Sequence, residues 1–340
     1  MGTRLLKLIV AVVVAAGLLV TAWPQFFGLE DQAPFAQLIS FRLGGAIAAV
    51  LGASVLLLLG LLTPSIRRFT MVLAAMVVVF ALALTATQGV RGFASAEPRP
   101  HRLADLRILS WNTQLAGVAA EDIVPLAVDG QADVIALQEV TPELSQAVTD
   151  ALAAAGRPMT QLFGAAEQDP TLGTALLIST GLGDYTADSS RVLTGTMPSV
   201  VARSSTPGAP VLVSAHVAPP SGSLMRDWRS DLTRLAALCT AEPDVLIAGD
   251  FNSTLEHWSG IPGTAQLGAC SDAGSQAGGA AVATWPTAAP SWLGAAIDHV
   301  AFSGHWDVSG YEVLDDVAEA SDHRPILVQL SVQRMTKELH

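Results

Sequence analysis

Basic residues are scarce in this chain. Of 340 residues, 18 are Lys or Arg against 30 Asp or Glu, and Lys7 and Lys337 are the only lysines. The imbalance is concentrated after the first quarter: from residue 92 onward, 12 Lys and Arg stand against 28 Asp and Glu, a net of −16. A tight, nonspecific grip on a nucleic-acid backbone relies on Lys and Arg neutralising phosphates. The charge therefore disfavours nucleic acid as a partner and suits a surface that recruits divalent cations. Cysteine is nearly absent as well. Cys239 and Cys270 stand alone; an oxidising location would permit a disulfide between them, and two buried thiols are the alternative. No internal repeat of fixed period runs along the chain.

What is present is divided sharply. Up to Gln88 there are three long apolar stretches, Leu5–Ala22, Leu43–Leu62 and Phe69–Gln88, and almost no acids. Each reaches the roughly 18–20 residues that a helix needs to cross a bilayer. They lack the amphipathic stripe of a core helix, and their interiors carry no charged pathway of the kind a transporter uses. Residues 1–88 are thus expected to be a three-helix membrane anchor. Arg4 and Lys7 precede the first span and Arg67 and Arg68 follow the second, whereas the loop between those spans holds Glu30 and Asp31 and no basic residue before Arg42. The bias of Lys and Arg toward the cytoplasmic side puts the N-terminus inside and everything after Arg91 outside the cytoplasm. "ASAEP" (94–98) offers small residues for a cleavage after Ala96 that would release the outer domain.

Residues 89–102 read as a Gly-, Pro- and Arg-containing linker. Beyond it come short, apolar, β-branched runs: "LRILSWN", "DVIALQE", "GTALLIS", "VLVSAHV", "VLIAGDF" and "HRPILVQLSV". Helical patterns lie between several of them, notably "AVTDALAAAG" and "SLMRDWRSDLTRLAALC". Strands mixed with helices indicate an α/β sandwich with helices covering sheets. The stretch "GTAQLGACSDAGSQAGGAAVAT" is poor in charge and rich in Gly and Ala, and is expected to be a mobile surface loop.

The apolar runs end in residues that bind metals or move protons: Asn112, Glu139, His216, Asp250 with Asn252, Asp298 with His299, and Asp322 with His323. Any one of these is well explained as a turn or cap residue. Six strand ends of matching chemistry point instead to one polar cleft.

The ordered set "SWNTQ", "LQEV", "SAHV", "GDFNS", "IDHV" and "SDHRP" resembles the endonuclease/exonuclease/phosphatase superfamily, the fold of deoxyribonuclease I and the neutral sphingomyelinases. The resemblance covers residues 103–333. It implies a four-layer α/β sandwich, Mg²⁺ or Mn²⁺ as cofactor, and phosphoester hydrolysis. Carried onto this sequence, it makes Glu139 the prime metal ligand, with Asn112 beside it and Asp322 completing the site or holding a second ion. Asp250 becomes the water-orienting base and Asn252 a donor to a phosphoryl oxygen. His323 contacts phosphate or water with its tautomer fixed by Asp298, and His216 is a general acid or phosphate donor. Alternation points His299 to the opposite face, as a structural residue. "TLGTALLIST" departs from the family by ending in Thr180 where an Arg is common, which removes a substrate contact.

Trp258, Trp285 and Trp292 are read as packing residues, although Trp285 and Trp292 lie on the approach to Asp298, where indoles would stack a base or sit at a membrane–water boundary. A catalytic domain held near a bilayer, and acidic, suits small or lipid-linked phosphoesters. An extracytoplasmic nuclease, or a non-catalytic binding or sensory domain on the same scaffold, is the alternative.

Overall fold

A computed structural model describes residues 2–100, 105–165, 172–261, 266–315 and 321–333. The chain opens with α1 (Gly2–Ala22), the short α2 (Phe35–Ser40), α3 (Arg42–Leu62) and α4 (Arg67–Arg91). α1, α3 and α4 are long and apolar enough to cross a membrane, with mean hydropathies of 2.6, 2.5 and 2.5. Each matches an expected span and extends past it. Small residues let α3 and α4 approach closely: Ala46, Ala53, Ala74 and Ala81 are buried, and a Cβ on Gly60 would lie 2.4 Å from Thr70 Oγ1. The outward faces keep Leu5, Val13, Leu58, Leu61, Val79 and Leu82 more than half exposed. Water is a poor solvent for so large an apolar surface; hydrocarbon is a good one.

After Arg91 the chain builds two six-stranded sheets. The first contains β1 (Asp105–Asn112), β2 (Val134–Val140), β3 (Met159–Ala165), β4 (Gly173–Ser179), β11 (Trp306–Val313) and β12 (Ile326–Val332), in the order β11-β12-β1-β2-β4-β3. The second contains β5 (Tyr185–Ala187), β6 (Val200–Ser204), β7 (Val211–His216), β8 (Val245–Asp250), β9 (Ser271–Asp272) and β10 (Asp298–Phe302), in the order β5-β6-β7-β8-β10-β9.

Strand alternation sorts their side chains into layers. Ile108, Val134, Ala136 and Leu176 of the first sheet pack against Leu212, Leu246, Ala248 and Val300 of the second. The opposite faces take helices. Leu109, Trp111, Ile135 and Leu137 meet α5 (Ala120–Asp129) and α6 (Pro142–Ala154). Val213, Val245 and Ile247 meet α7 (Met225–Ala241). α6 starts where Thr141 accepts a hydrogen bond from the Leu144 amide ahead of Pro142, a favourable helix start. The result is the four-layer sandwich the sequence implied.

Two expectations change. Residues 89–91 complete α4, and the segment after them lies against the domain: Ala94 N donates to Gly278 O, and Ala96 and Tyr311 exchange backbone hydrogen bonds of 2.8 Å. The Gly- and Ala-rich stretch is not a loose loop over its described part, residues 266–284. It holds β9 and α9 (Ala273–Ala277), and buries Leu267, Cys270, Ala273, Ala281 and Thr284. Its small side chains permit close packing; a Cβ on Gly279 would sit 2.4 Å from Ala94 O. Low charge here reflects burial.

Cys239 on α7 and Cys270 form a disulfide across a separation of 31 residues. Replacing both with Ser is expected to destabilise the domain by on the order of 3 kcal/mol. The thermal unfolding midpoint of the full-length protein in detergent would fall by several degrees; an unchanged midpoint would refute this.

Candidate active site

The pairing directions bring the polar strand ends together. β7 and β8 run parallel with His216 opposite Asp250, and β10 runs antiparallel to β8 so that Asp298 is also opposite Asp250. In the first sheet β1 and β2 are parallel, while β12 is antiparallel to β1. His323, just ahead of β12, therefore arrives beside the end of β1. Alternation adds the second condition. Asn112, His216, Asp250 and Asp298 share the intersheet parity of Ile108, Leu212, Leu246 and Val300, so the space between the sheets ends in a polar mouth.

Glu139 alone breaks parity. Regular alternation would send it toward the helices, but its φ of +54° falls at a register shift between Gln138 and Val140. This left-handed turn brings its carboxylate to Asn112. Gly249 supplies the other special backbone: its φ is +151°, and a Cβ there would lie 2.0 Å from Ala215 O. Only glycine lets β7 and β8 approach this closely under His216 and Asp250. Gly249→Ala should cut turnover at least roughly tenfold by displacing the two side chains; wild-type kcat in a folded variant would contradict this.

The side chains form one connected group. Asn112 Nδ2 donates to Glu139 Oε1 and to Asp250 Oδ2, both at 3.1 Å, and Asn112 Oδ1 accepts from Gln114 N. Glu139 Oε2 accepts from Leu115 N. His216 Nε2 lies 3.8 Å from Glu139 Oε1 and 3.9 Å from Asp250 Oδ2. His323 Nδ1 is 2.9 Å from Asp298 Oδ2, while its Nε2 faces Asp250 Oδ2 and Asp322 Oδ1, each at 3.9 Å. Asn252 N donates to Asp250 Oδ1 at 2.8 Å.

Burial sets the electrostatics. It pushes the Asp250 carboxyl up to about 7, against the pull of the nearby His323. It pushes the His216 imidazole down to about 4, which keeps this ring neutral near pH 7. His323 would be lowered by burial too, but Asp298 and then Asp250 overcome it and raise the ring to about 10. One site thus holds a neutral and a charged imidazole within reach of a single carboxylate.

Residues 109–323, more than half of the chain, match the model of the Endonuclease/Exonuclease/phosphatase family. The chain belongs to that family. Among solved structures similar to it is an endonuclease/exonuclease/phosphatase from Beutenbergia cavernae DSM 12333. That protein is 17% identical, with a TM-score of 0.51 over 68% of this chain and 72% of that one. Another is a humanized D. rerio TDP2 carrying 14 mutations, 18% identical with a TM-score of 0.50 over 67% of this chain and 100% of that one. At these identities the likeness is one of fold. No curated protein matches the sequence.

Family members are generally divalent-metal-dependent hydrolases. Among the described residues, the group whose ligand atoms all lie within 4.8 Å of one another is Asp250, Asp298 and His323. In that trio His323 Nδ1 is engaged with Asp298, and Nε2 is the ring nitrogen that faces Asp250. Glu139 and Asn112 offer hard oxygens of the kind Mg²⁺ and Mn²⁺ prefer. Glu139 is a quarter exposed at the mouth. Ligation through Asn112 requires its amide to turn over, since Oδ1 now faces Gln114.

The structure adds detail to four of the sequence expectations. Asp322, expected to complete the metal site or to hold a second ion, faces His323 Nε2 at 3.9 Å, and Trp285 Nε1 donates to its Oδ2 at 2.9 Å. Asn252 Nδ2 already donates to Val217 O and Asp250 Oδ2, so in this arrangement it serves the carboxylate before any phosphate. His216 was expected to be a general acid or a phosphate donor, and its neutral ring fits the donor half of that expectation. Thr180 lies at the far end of β4, because β4 runs antiparallel to β2 and pairs Ile178 with Val134, away from Glu139. An Arg there would contact no substrate bound at the mouth. By contrast, His299 is structural as expected, held between Asp272 Oδ2 and Ser253 O, both at 2.9 Å. Trp258 is core.

Three supporting residues carried no assigned role in the sequence analysis. Gln114 joins Asn112 to Asp322, accepting from Asp322 N at 2.8 Å. Ser321 Oγ donates to Asn112 O and accepts from His323 N, fixing the His323 turn to β1. Thr284 Oγ1 accepts from the Ile297 and Asp298 amides. Gln114 and Ser321 stood inside quoted motifs, and that position was their only signal.

Proposed function

We propose that this chain is a divalent-cation-dependent phosphoester hydrolase displayed on the outer face of a cytoplasmic membrane. The observation that carries the proposal is the buried Asp250 carboxylate flanked by Asn112, His216, Asp298 with His323, and Asn252, beside the open carboxylate of Glu139. Glu139 and Asn112 would hold the cation, Mg²⁺ or Mn²⁺, with Asp322 completing the site or holding a second ion. When bound, the ion supplies relief of phosphoryl charge and stabilises the leaving oxygen. Asp250, once ionised, accepts the proton of the attacking water. His323, held protonated by Asp298, faces the phosphoryl oxygens as charge builds on them. Neutral His216 donates from Nε2, and Asn252 keeps Asp250 aimed.

Three observations support the outward-facing arrangement. The spans are long enough, the cytoplasmic loops would hold Arg4, Lys7, Arg67 and Arg68, and a disulfide suits an oxidising side. The substrate is proposed to be small or lipid-linked. Trp285 connects the site to the membrane anchor: its ring lies tilted against Phe41, with centroids 5.9 Å apart, and its Nε1 donates to Asp322. Half-exposed Trp292 closes a groove of about 330 Å³ with Leu43, Ile47, Val50, Leu51 and Thr85. A panel of phospholipid, polyprenyl pyrophosphate, sugar phosphate, DNA and RNA tests this with full-length protein in nanodiscs and Mg²⁺. Hydrolysis of a lipid-linked or small phosphoester is expected. DNA or RNA as the preferred substrate would make the chain a nuclease instead, and metal binding without turnover of any would make it a binding domain.

A further inference from the structure

The segment after Asn252 is gripped by the membrane anchor. Glu256, on α8 (Leu255–Trp258), is buried and makes two ion pairs with helices of that anchor. Its Oε1 lies 2.6 Å from Arg42 Nε at the start of α3, and its Oε2 lies 2.6 Å from Arg91 Nη1 at the end of α4. Arg42 Nη1 also donates to Ala22 O at the end of α1, so all three long helices meet at this point. Burial would raise the Glu256 carboxyl, yet Arg91 and Arg42 hold it down at about 2. Arg42 and Arg91 both lie on the side where basic residues are disfavoured by membrane orientation; a shared carboxylate accounts for both.

From Glu256 the contacts lead into the site. Thr254 Oγ1 donates to Glu256 Oε2 at 2.6 Å, and Thr254 N donates to His257 Nδ1 at 2.8 Å. With Nδ1 accepting, His257 Nε2 donates to Ala36 O of α2 at 2.9 Å. Ala36 belongs to the same core as Phe251, Trp228 and Trp258. Two residues before Thr254 stands Asn252, in the left-handed region at φ +46°, with its backbone and amide N–H groups on Asp250. A left-handed turn persists only where its surroundings hold it. Here they include Trp228 Nε1 on Asn252 O, and the anchor acting through Thr254, Glu256 and His257.

We infer that Arg42, Arg91 and Glu256 are positioning residues of the active site, through which the membrane helices hold the Asn252 turn and with it the aim of Asp250. The anchor is then part of the working enzyme and more than a tether. The functional half of this inference rests on the proposed hydrolase, whereas its structural half does not. A neutral side chain at 42, 91 or 256 leaves buried charge unmatched and loosens the turn locally.

The test uses full-length protein in phospholipid nanodiscs, with bis(p-nitrophenyl) phosphate and Mg²⁺, and hydrogen exchange read over residues 250–258. In Glu256→Gln and Arg42→Gln, kcat should fall at least about tenfold with KM nearly unchanged, and Arg91→Lys should retain most of the turnover lost in Arg91→Gln. Combined with Asn252→Ala, Glu256→Gln should cost little more than Asn252→Ala alone, the coupling expected when one residue acts through another. Exchange over 250–258 should quicken while β7 and β10 stay protected. Should Glu256→Gln fail to fold, the partly exposed Arg91→Gln carries the same comparisons. Full additivity with Asn252→Ala, or exchange that quickens equally everywhere, would overturn the positioning role. If wild-type protein hydrolyses nothing, local exchange decides the structural half and the hydrolase reading falls separately.

Discussion

Asp298→Asn is expected to lower kcat at neutral pH by on the order of a thousandfold, while leaving the fold intact. Asp298 Oδ2 accepts from His323 Nδ1 at 2.9 Å, which fixes the proton on that nitrogen and turns Nε2 toward Asp250 and Asp322. An amide at 298 removes the charge and can present an N–H to Nδ1, reversing the tautomer. The pH profile separates this from a simple packing loss. His323 is raised to about 10, against burial, by Asp298 and then Asp250; its protonated form therefore persists across neutral pH and is lost as pH rises through that value. Without Asp298 the ring releases its proton sooner, so the alkaline limb of kcat/KM moves to lower pH. Asp250, pushed up to about 7 by burial, must lose its proton to act as a base, so the acid limb rises through that range. A cation bound nearby favours the ionised carboxylate and should draw this limb downward as Mg²⁺ is raised. An alkaline limb that does not move in Asp298→Asn would remove His323 from the chemistry.

Glu139→Gln should have a comparable effect by a different route. The carboxylate is a quarter exposed, with Oε1 on Asn112 and Oε2 on Leu115 N. Gln keeps the shape and one acceptor but loses the charge, so metal affinity should fall roughly 10–100-fold and turnover at fixed Mg²⁺ at least as much. Titrating Mg²⁺ and Mn²⁺ against initial rate reads both. Partial recovery at high Mn²⁺ is expected, and a metal dependence identical to that of the wild type would exclude Glu139 as a ligand.

Much of this site is legible because two rules act at once. An apolar strand that ends in a polar residue of intersheet parity delivers that residue to the mouth between sheets, and Asn112, His216, Asp250 and Asp298 obey both conditions. Parity also predicts that His299 faces away. What escapes is set by geometry that no strand carries within itself. Glu139 reaches the site through a left-handed φ at a bulge, although its motif already marked it. Thr180 looked like a strand end at the site, but the antiparallel partner of β4 reverses which end counts. Asp322 was grouped with Glu139 by chemistry, and its contacts with His323 and Trp285 were not legible from its motif. The Arg42–Glu256 pair spans 214 residues and joins two regions that composition divides sharply. Gly and Ala were taken as signs of looseness after residue 262, where burial against Tyr311 and Ala94 gives them the opposite meaning.

In the proposed function, these carboxylates and imidazoles hydrolyse a phosphoester with a bound divalent cation. It is tested most directly by following bis(p-nitrophenyl) phosphate with full-length protein before EDTA, after EDTA, and after Mg²⁺ or Mn²⁺ is restored, with Asp250→Asn alongside. Turnover is expected to stop with EDTA, to return with the metal, and to be absent throughout in Asp250→Asn. Equal turnover in EDTA, or wild-type rates from Asp250→Asn, would contradict it.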